Sequence, residues 1–409
     1  MDLNVGTRGW ERPALAAALI VACGGTPTEA VDTDPACALP TELGSISVFE
    51  NVSLVSYATG AVQDGQSVVI REGRIEVMGA DGEVQVPEGA TSVPGCGRFL
   101  VPGLADMHVH LSRADLPSYL DAGVTTVRNL WGFPDLLAMK QEIESGTLDG
   151  PSIAVISSGL DGTPEKWPFT QLVMEAEDAS PVIEAQVAHG YSTLKLYSDL
   201  RSEPFDAIVE DARARGLEYG GHVPHRVGLT RALDAGYRFI EHLSGYEVVL
   251  NPGGPRGAFA WRTIDESAIE GLVAQTVAAG TWNSPTLEIF AQIANGEAAV
   301  VENRRAFVHA LHEAGAPLLV GTDSGIGRTQ PGVSLHKEIA QFVAAGIPVR
   351  EVLRIATEEA ARFLGAGDDI GRVDVGFAAD LLLVRENPID DVTSLADPVA
   401  VLVRGQRVR

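Results

Sequence analysis

The chain opens and closes with short apolar runs of period two. Near the beginning stand Ile46-Ser47-Val48-Phe49, Ser67-Val68-Val69-Ile70 and Arg74-Ile75-Glu76-Val77, separated by Gly and Asp. Runs of this kind between turn residues predict β-strands, because alternate side chains on a strand face opposite sides. The same character returns in Asp380-Leu381-Leu382-Leu383-Val384 and Ala400-Val401-Leu402-Val403. The two ends are therefore expected to pair into one small β-sandwich domain built from residues 44–100 and 367–409.

Between them the pattern changes to apolar runs alternating with helical periodicity. Strand candidates after the opening segment at Leu100 are Thr125-Thr126-Val127, Ile153-Ala154-Val155-Ile156, Thr193-Leu194-Lys195-Leu196, Glu218-Tyr219-Gly220-Gly221-His222 and Phe239-Ile240-Glu241-His242. Thr281-Trp282-Asn283 and Pro317-Leu318-Leu319-Val320-Gly321-Thr322-Asp323 complete a set of eight. Helical stretches such as Asp206 to Arg213 lie between them. Such alternation predicts an α/β fold, a (β/α)8 TIM barrel over residues 101–366, with its site at the C-terminal ends of the strands. The Pro- and Gly-rich stretch 251–269 breaks the rhythm and is expected to be a loop, either a lid over that site or a surface insertion.

Six residues with metal or acid–base chemistry fall where such a barrel would gather them. His108 and His110, spaced i and i+2, point to one side of a strand, and imidazole is the commonest side-chain metal ligand. His222, His242 and Asp323 each end a strand candidate, and Lys195 sits inside one, where a buried strand seldom accepts an ammonium. Each alone has an ordinary structural reading; six together at barrel strand ends point to a metal centre. Tyr197, His225 and His336 follow site strands and are candidate substrate contacts. Glu241, on the other face of its strand from His242, is expected to pair with a helix residue. His309 and His312 belong to a helix on the barrel's outside.

Composition narrows the picture. A 409-residue chain with 45% hydrophobic and 21% charged residues suits a large folded domain plus a minor one. A net charge of -25 argues against nucleic acid as a partner. Arg8 and Arg12 precede the apolar run Ala14 to Ala22, too short to span a bilayer, which reads as a signal peptide over residues 1–22. Ile20-Val21-Ala22-Cys23 resembles a bacterial lipoprotein cleavage box, so Cys23 is a candidate lipid anchor followed by a tether over residues 23–43. The expected location is the periplasm or its membrane surface in a bacterium. Export would permit a disulfide between Cys37 and Cys96; two unpaired thiols fit the spacing equally well.

The runs Pro102-Gly103-Leu104-Ala105-Asp106-Met107-His108-Val109-His110, Leu194-Lys195-Leu196-Tyr197, Gly221-His222-Val223-Pro224, Ile240-Glu241-His242-Leu243 and Gly321-Thr322-Asp323-Ser324 together resemble the metal-dependent amidohydrolase superfamily. So does Gly371-Arg372-Val373-Asp374-Val375-Gly376-Phe377-Ala378-Ala379-Asp380-Leu381, and the likeness runs from about Ser45 to Arg409. It implies two divalent metals, zinc being well suited to the donors. His108, His110 and Asp323 would hold the inner one, and His222 and His242 the outer. A CO₂-derived carbamate on Lys195 would bridge them. A metal-bridged hydroxide would attack an amide carbonyl, with Asp323 as general base and then acid. Lys195 places the chain nearer the Xaa-Pro dipeptidase side of the branch that also holds imidazolonepropionases. The expected substrate is a dipeptide or N-acyl amino acid, although 159–164 lacks the histidine such dipeptidases often carry there. A lactone, a phosphotriester or a cyclic amide would suit the same metals, and a non-catalytic metal- or ligand-binding protein is the remaining alternative. Oligomers are compatible with everything above.

Overall fold

A computed structural model describes residues 34–164 and 167–409. The signal run, Cys23 and most of the expected tether lie outside the described residues.

Among the described residues five strands precede the central α/β part: β1 (Ile46–Val55), β2 (Val62–Arg71), β3 (Arg74–Ala80), β4 (Thr91–Pro94) and β5 (Phe99–Pro102). Three more follow it: β15 (Leu381–Val384), β16 (Ala400–Val403) and β17 (Gln406–Arg407). All eight join one sheet in the order β17-β16-β15-β5-β1-β2-β3, with β4 beside β1. The two chain ends do pair, through β5 and β15, whose register runs from Leu381 opposite Pro102 to Val384 opposite Phe99. The expected sandwich takes the form of this single hydrogen-bonded sheet. Its strands are stitched edge to edge because β1 changes partner along its length. Ser47 to Glu50 pair with β4, and Ser53 and Leu54 with β5. The switch falls at a bulge opposite β2, where Asn51 takes φ +53°. One face buries Phe49, Val52, Val68, Leu100, Leu381 and Leu402 in a core of its own. Cys37 and Cys96 are disulfide-bonded with Cα atoms 5.9 Å apart, fastening the segment before β1 to the turn after β4.

The described residues of the central part contain nine strands. They are β6 (Leu104–Val109), β7 (Val124–Asn129), β8 (Ser152–Val155), β9 (Gly159–Asp161), β10 (Gln171–Leu172), β11 (Thr193–Leu196), β12 (Glu218–Gly221), β13 (Phe239–Glu241) and β14 (Trp282–Ser284). Two parallel sheets result, β6-β7-β8 and β10-β9-β11-β12-β13-β14. The eighth strand candidate is extended and hydrogen-bonds on both sides. Leu319 N–H donates to the Asn283 carbonyl at 2.9 Å, and Met107 N–H donates to the Val320 carbonyl at 2.9 Å. Beyond β8, Ser157 N–H donates to the Thr193 carbonyl at 3.0 Å, linking the first sheet to the second. Helices cover the outside, as buried parallel strands require. In Ser202–Arg215 the buried side chains Phe205, Ile208, Val209 and Ala212 recur every three or four residues, and Gly216 ends the helix at φ +69°.

The segment 251–269 packs against the helical layer. It holds a 3₁₀ turn, Ala258–Arg262, whose Trp261 is buried against Phe307 of helix Ala298–Glu313. The Asn303 side-chain amide donates to the Trp261 carbonyl at 2.8 Å, and Asn251 to that of Ala260 at 2.9 Å. An apolar anchor inside a Pro/Gly-rich stretch has turned the loop outward, against the helical layer.

Candidate metal centre and active site

The six sequence candidates converge at one end of the strands. His108 lies in β6 and His110 just beyond it; Lys195 lies in β11. His222 and His242 directly follow β12 and β13. Asp323 ends the eighth extended segment, with its N–H donating to the His108 carbonyl at 2.8 Å. Both His242 (φ +64°) and Asp323 (φ +58°) hold left-handed backbone, strain that is stored where chain direction changes to aim a functional side chain. Gly321 lets this segment lie against β6, since a Cβ there would fall 2.7 Å from that of His108.

Ligand-type atoms of His108, His110 and Asp323 lie within 4.8 Å of one another. His110 Nε2 is 3.0 Å and His108 Nε2 3.2 Å from the same Asp323 oxygen, Oδ1. His108 Nδ1 is engaged with Glu241 Oε2 at 2.6 Å, while its buried Nε2 has no hydrogen-bond partner of acceptable geometry. With the Nδ1 proton given to a carboxylate, Nε2 presents a lone pair to another carboxylate. Two imidazole nitrogens converging on one carboxylate oxygen form a donor set that fits a divalent metal.

The second pair of histidines is held similarly. His222 Nδ1 contacts Ser198 Oγ at 3.0 Å and His242 Nδ1 contacts Thr286 Oγ1 at 2.8 Å, so Nε2 is the nitrogen left for a ligand on each ring. The His242 ring is 4.6 Å from that of His108 and 4.9 Å from that of His222, centroid to centroid. Burial, with Lys195 and neighbouring histidines adding to it, holds His222 far below its usual pKa, and burial does the same to His242. Both are in the neutral form that binds metals. Lys195 is 1% exposed, and burial brings its ammonium down to about 8 against the opposing pull of Glu241 and Asp323. Burial also opposes the charge of Asp323, but His108 and His242 outweigh it and keep this carboxyl ionised well below its usual range.

Sequence reasoning missed the layer beneath. Glu241, fully buried, pairs with His108 and Arg128, both on the central strands, not with a helix residue. Arg128 Nη2 donates to Glu241 Oε1 at 2.6 Å, and Arg128 Nε to the Met107 carbonyl at 2.6 Å. The guanidinium lies 4.8 Å from the ring centres of both Phe239 and Phe363. The reason is the turn at His242: left-handed backbone upsets strict alternation, so neighbours Glu241 and His242 both serve the site. Asp106 pins the same level, accepting from Thr322 Oγ1 at 2.6 Å and Thr322 N–H at 3.0 Å. Its signal was an acidic residue inside an apolar strand.

Above the histidines opens a cavity of about 860 Å³ whose wall includes Trp131, Phe133, Trp167, Phe169, Tyr197 and Phe290. Tyr197 meets the expectation of a residue at the mouth, its ring 4.1 Å from that of His222 and its hydroxyl accepting from Trp167 Nε1 at 2.8 Å. The other two expected contacts are placed elsewhere. His225 is exposed with its N–H donating to the Ser198 carbonyl at 2.9 Å, and it does not line the cavity. His336 belongs to helix Val333–Ala344, where Nε2 donates to the Ala122 carbonyl at 2.9 Å. Its polar end is used to satisfy the carbonyl at the end of the preceding helix Leu116–Asp121, and so is turned from the cavity.

Residues 99–408 match the Amidohydrolase family, and the chain belongs to it: it is a hydrolase acting on C–N bonds. Among curated relatives, ochratoxinase of Aspergillus niger is 23% identical over 380 residues, 74% of this chain and 73% of that protein. Two solved structures share the fold. Bottromycin amidohydrolase is 29% identical, with a TM-score of 0.71 over 88% of this chain and 86% of its own. A Xaa-Pro dipeptidase with bound methionine is 21% identical, with a TM-score of 0.71 over 89% of this chain and 100% of its own.

Proposed function

We propose that this protein is an exported, binuclear metal hydrolase that cleaves an amide bond of a small molecule at the mouth of a (β/α)8 barrel. The observation that carries the reading is the convergence of His108, His110 and Asp323 around a buried His108 Nε2 that lacks a hydrogen-bond partner. His108, His110 and Asp323 would hold one divalent ion, and His222 and His242 a second. Lys195, as a carbamate, would complete both sites. A lysine brought down to about 8 supports this, because only the neutral amine adds CO₂. Zinc fits imidazole and carboxylate donors, and such ions when bound acidify water and polarise a carbonyl.

The chain's own residues supply the rest. Asp323, ionised beside His108 and His110, would take a proton from the attacking water and return it to the leaving nitrogen. Glu241 orients His108 through Nδ1, and Ser198 and Thr286 orient His222 and His242. The aromatic wall sheds water around the reacting carbonyl, strengthening every charge interaction within it. Export is supported by the Cys37–Cys96 disulfide, which needs an oxidising compartment.

The test is Asp323→Asn, assayed on a panel of N-acyl amino acids and dipeptides with metal content measured in parallel. At full metal occupancy kcat is expected to fall by about 10²- to 10⁴-fold. Wild-type turnover in a fully loaded variant would refute the acid–base role, and lactone or phosphotriester hydrolysis without amide hydrolysis would refute the bond assignment.

A further inference from the structure

We infer that Arg304 is a positioning residue of the outer metal site, holding His242 both by its backbone and, through Phe290, by its ring. The inference rests on the two-metal reading above. It concerns a side chain that does not line the cavity and that neither the sequence motifs nor the metal ligands point to.

The need for such a residue follows from the backbone. Strands β13 and β14 pair as far as Glu241 and Ser284, and His242 N–H still donates to the Ser284 carbonyl at 2.8 Å. The next residue after Ser284 is Pro285, which has no N–H to extend the ladder. Both chains then turn. His242, Leu243 and Thr286 hold left-handed backbone, at φ +64°, +57° and +47°. None of the three is glycine, and such conformations persist only where the surroundings over-determine them. Arg304 supplies that restraint. It reaches inward from helix Ala298–Glu313, and its Nη2 donates to the Pro285 carbonyl at 2.6 Å and to the His242 carbonyl at 3.2 Å. One nitrogen thus sets the spacing between His242 and the residue before Thr286. Thr286 Oγ1 is in turn the group that engages His242 Nδ1 at 2.8 Å.

The imidazole is held through a run of aromatic contacts. The Arg304 guanidinium carbon lies 4.0 Å from the Phe290 ring centre and 5.2 Å from that of Trp261. Phe290 lies 5.6 Å from the His242 ring, tilted by 35°. Contacts therefore run from buried Trp261 of segment 251–269, through Arg304 and Phe290, to the proposed ligand. Stability alone does not call for a charge here. Arg304 is 1% exposed, and the carboxylates of Glu247 and Glu338 attract it through space without an ion pair. A guanidinium buried in this way costs more than an apolar side chain of its size would. What it offers is a planar fork of donors with two stackable faces, which a lysine reproduces only in part.

The experiment loads the full chain with zinc alone, in bicarbonate buffer, and measures bound zinc after dialysis against graded chelator. In Arg304→Met, which keeps the length and removes the donors, the second zinc ion is expected to be held about 10- to 100-fold more weakly, with the first unchanged. Arg304→Lys should recover part of the loss. Thr286→Val should weaken the same ion. Its effect combined with Arg304→Lys should be smaller than the product of the two single effects, because both act through His242. Cys37→Ser/Cys96→Ser, whose cysteines do not line the cavity, controls for lowered stability and should keep both ions. Three outcomes overturn the inference and leave the two-metal reading in place: both ions retained in Arg304→Met, both weakened together, or the second weakened equally in the disulfide variant. If Arg304→Met does not fold, Arg304→Lys is judged by the same three outcomes. A wild type that takes up a single zinc ion refutes the two-metal reading, and metal-free crystal structures then decide. His242 and Thr286 parted in the Arg304 variant support the positioning role, and their contact kept at 2.8 Å overturns it.

Discussion

Nδ1 of His108 lies 2.6 Å from Oε2 of Glu241, both fully buried, and through this contact the histidine cluster is tied to the buried layer beneath it. The carboxylate fixes which nitrogen of His108 carries the proton and which is left as a donor to a metal. Its second oxygen takes Arg128, so one acidic residue joins a ligand to a buried cation.

Glu241→Gln keeps the shape and removes the charge. Metal affinity is expected to fall by about 10- to 100-fold, because His108 becomes a weaker donor. Arg128 is left uncompensated, at a cost of about 3–5 kcal/mol in stability. Metal content after dialysis against graded chelator, and chemical unfolding of the metal-free protein, check the two effects separately.

The same pair sets an acid limit. Burial opposes the charge of Glu241, but Arg128 and His108 outweigh it and take the carboxyl from 4.5 down to about 2. The unfolded chain therefore binds more protons than the folded one between these values. The stabilisation is complete above pH 4.5 and is lost as pH falls towards 2. It amounts to about 3 kcal/mol over the window. Urea unfolding of the metal-free protein at stepped acidic pH should show this slope, and Glu241→Gln should flatten it.

Glu338 acts on the cavity wall from behind. Its two oxygens accept from Leu287 N–H at 2.7 Å and Glu288 N–H at 2.6 Å, capping the helix that bears Ile289 and Phe290. Glu338→Ala is expected to cost about 1–3 kcal/mol through these unsatisfied donors. KM should rise more than kcat falls, since the loosened helix forms the wall and holds no ligand of the proposed metals. Steady-state kinetics and thermal unfolding on one preparation measure both.

Reduction of Cys37–Cys96, or the double variant Cys37→Ser/Cys96→Ser, should lower stability by about 2–4 kcal/mol. The bridge spans 59 residues of sequence within and before the small sheet, and neither cysteine lines the cavity, so kcat should be unchanged. Unfolding with and without a thiol reductant, beside an activity assay, checks the pair of outcomes.

The sequence by itself determined the alternation of strands and helices, the pairing of the two chain ends and the six polar residues at the strand ends. These are local: a period of two or three to four, and a polar residue interrupting an apolar strand, are visible in a single line of text. Tyr197, two residues from Lys195, lines the cavity above the histidines. Tertiary structure decided the rest. Glu241 joined the site because left-handed backbone at His242 upset the alternation on which its outward reading depended. His336 left it because a carbonyl of another helix captured its ring. The segment 251–269, left open between a lid and a surface insertion, is anchored by the burial of Trp261. The aromatic cavity was invisible, since Trp131, Trp167 and Phe290 come from three separate loops and helices. Only folding brings them round one space, and separation along the chain carries no record of it.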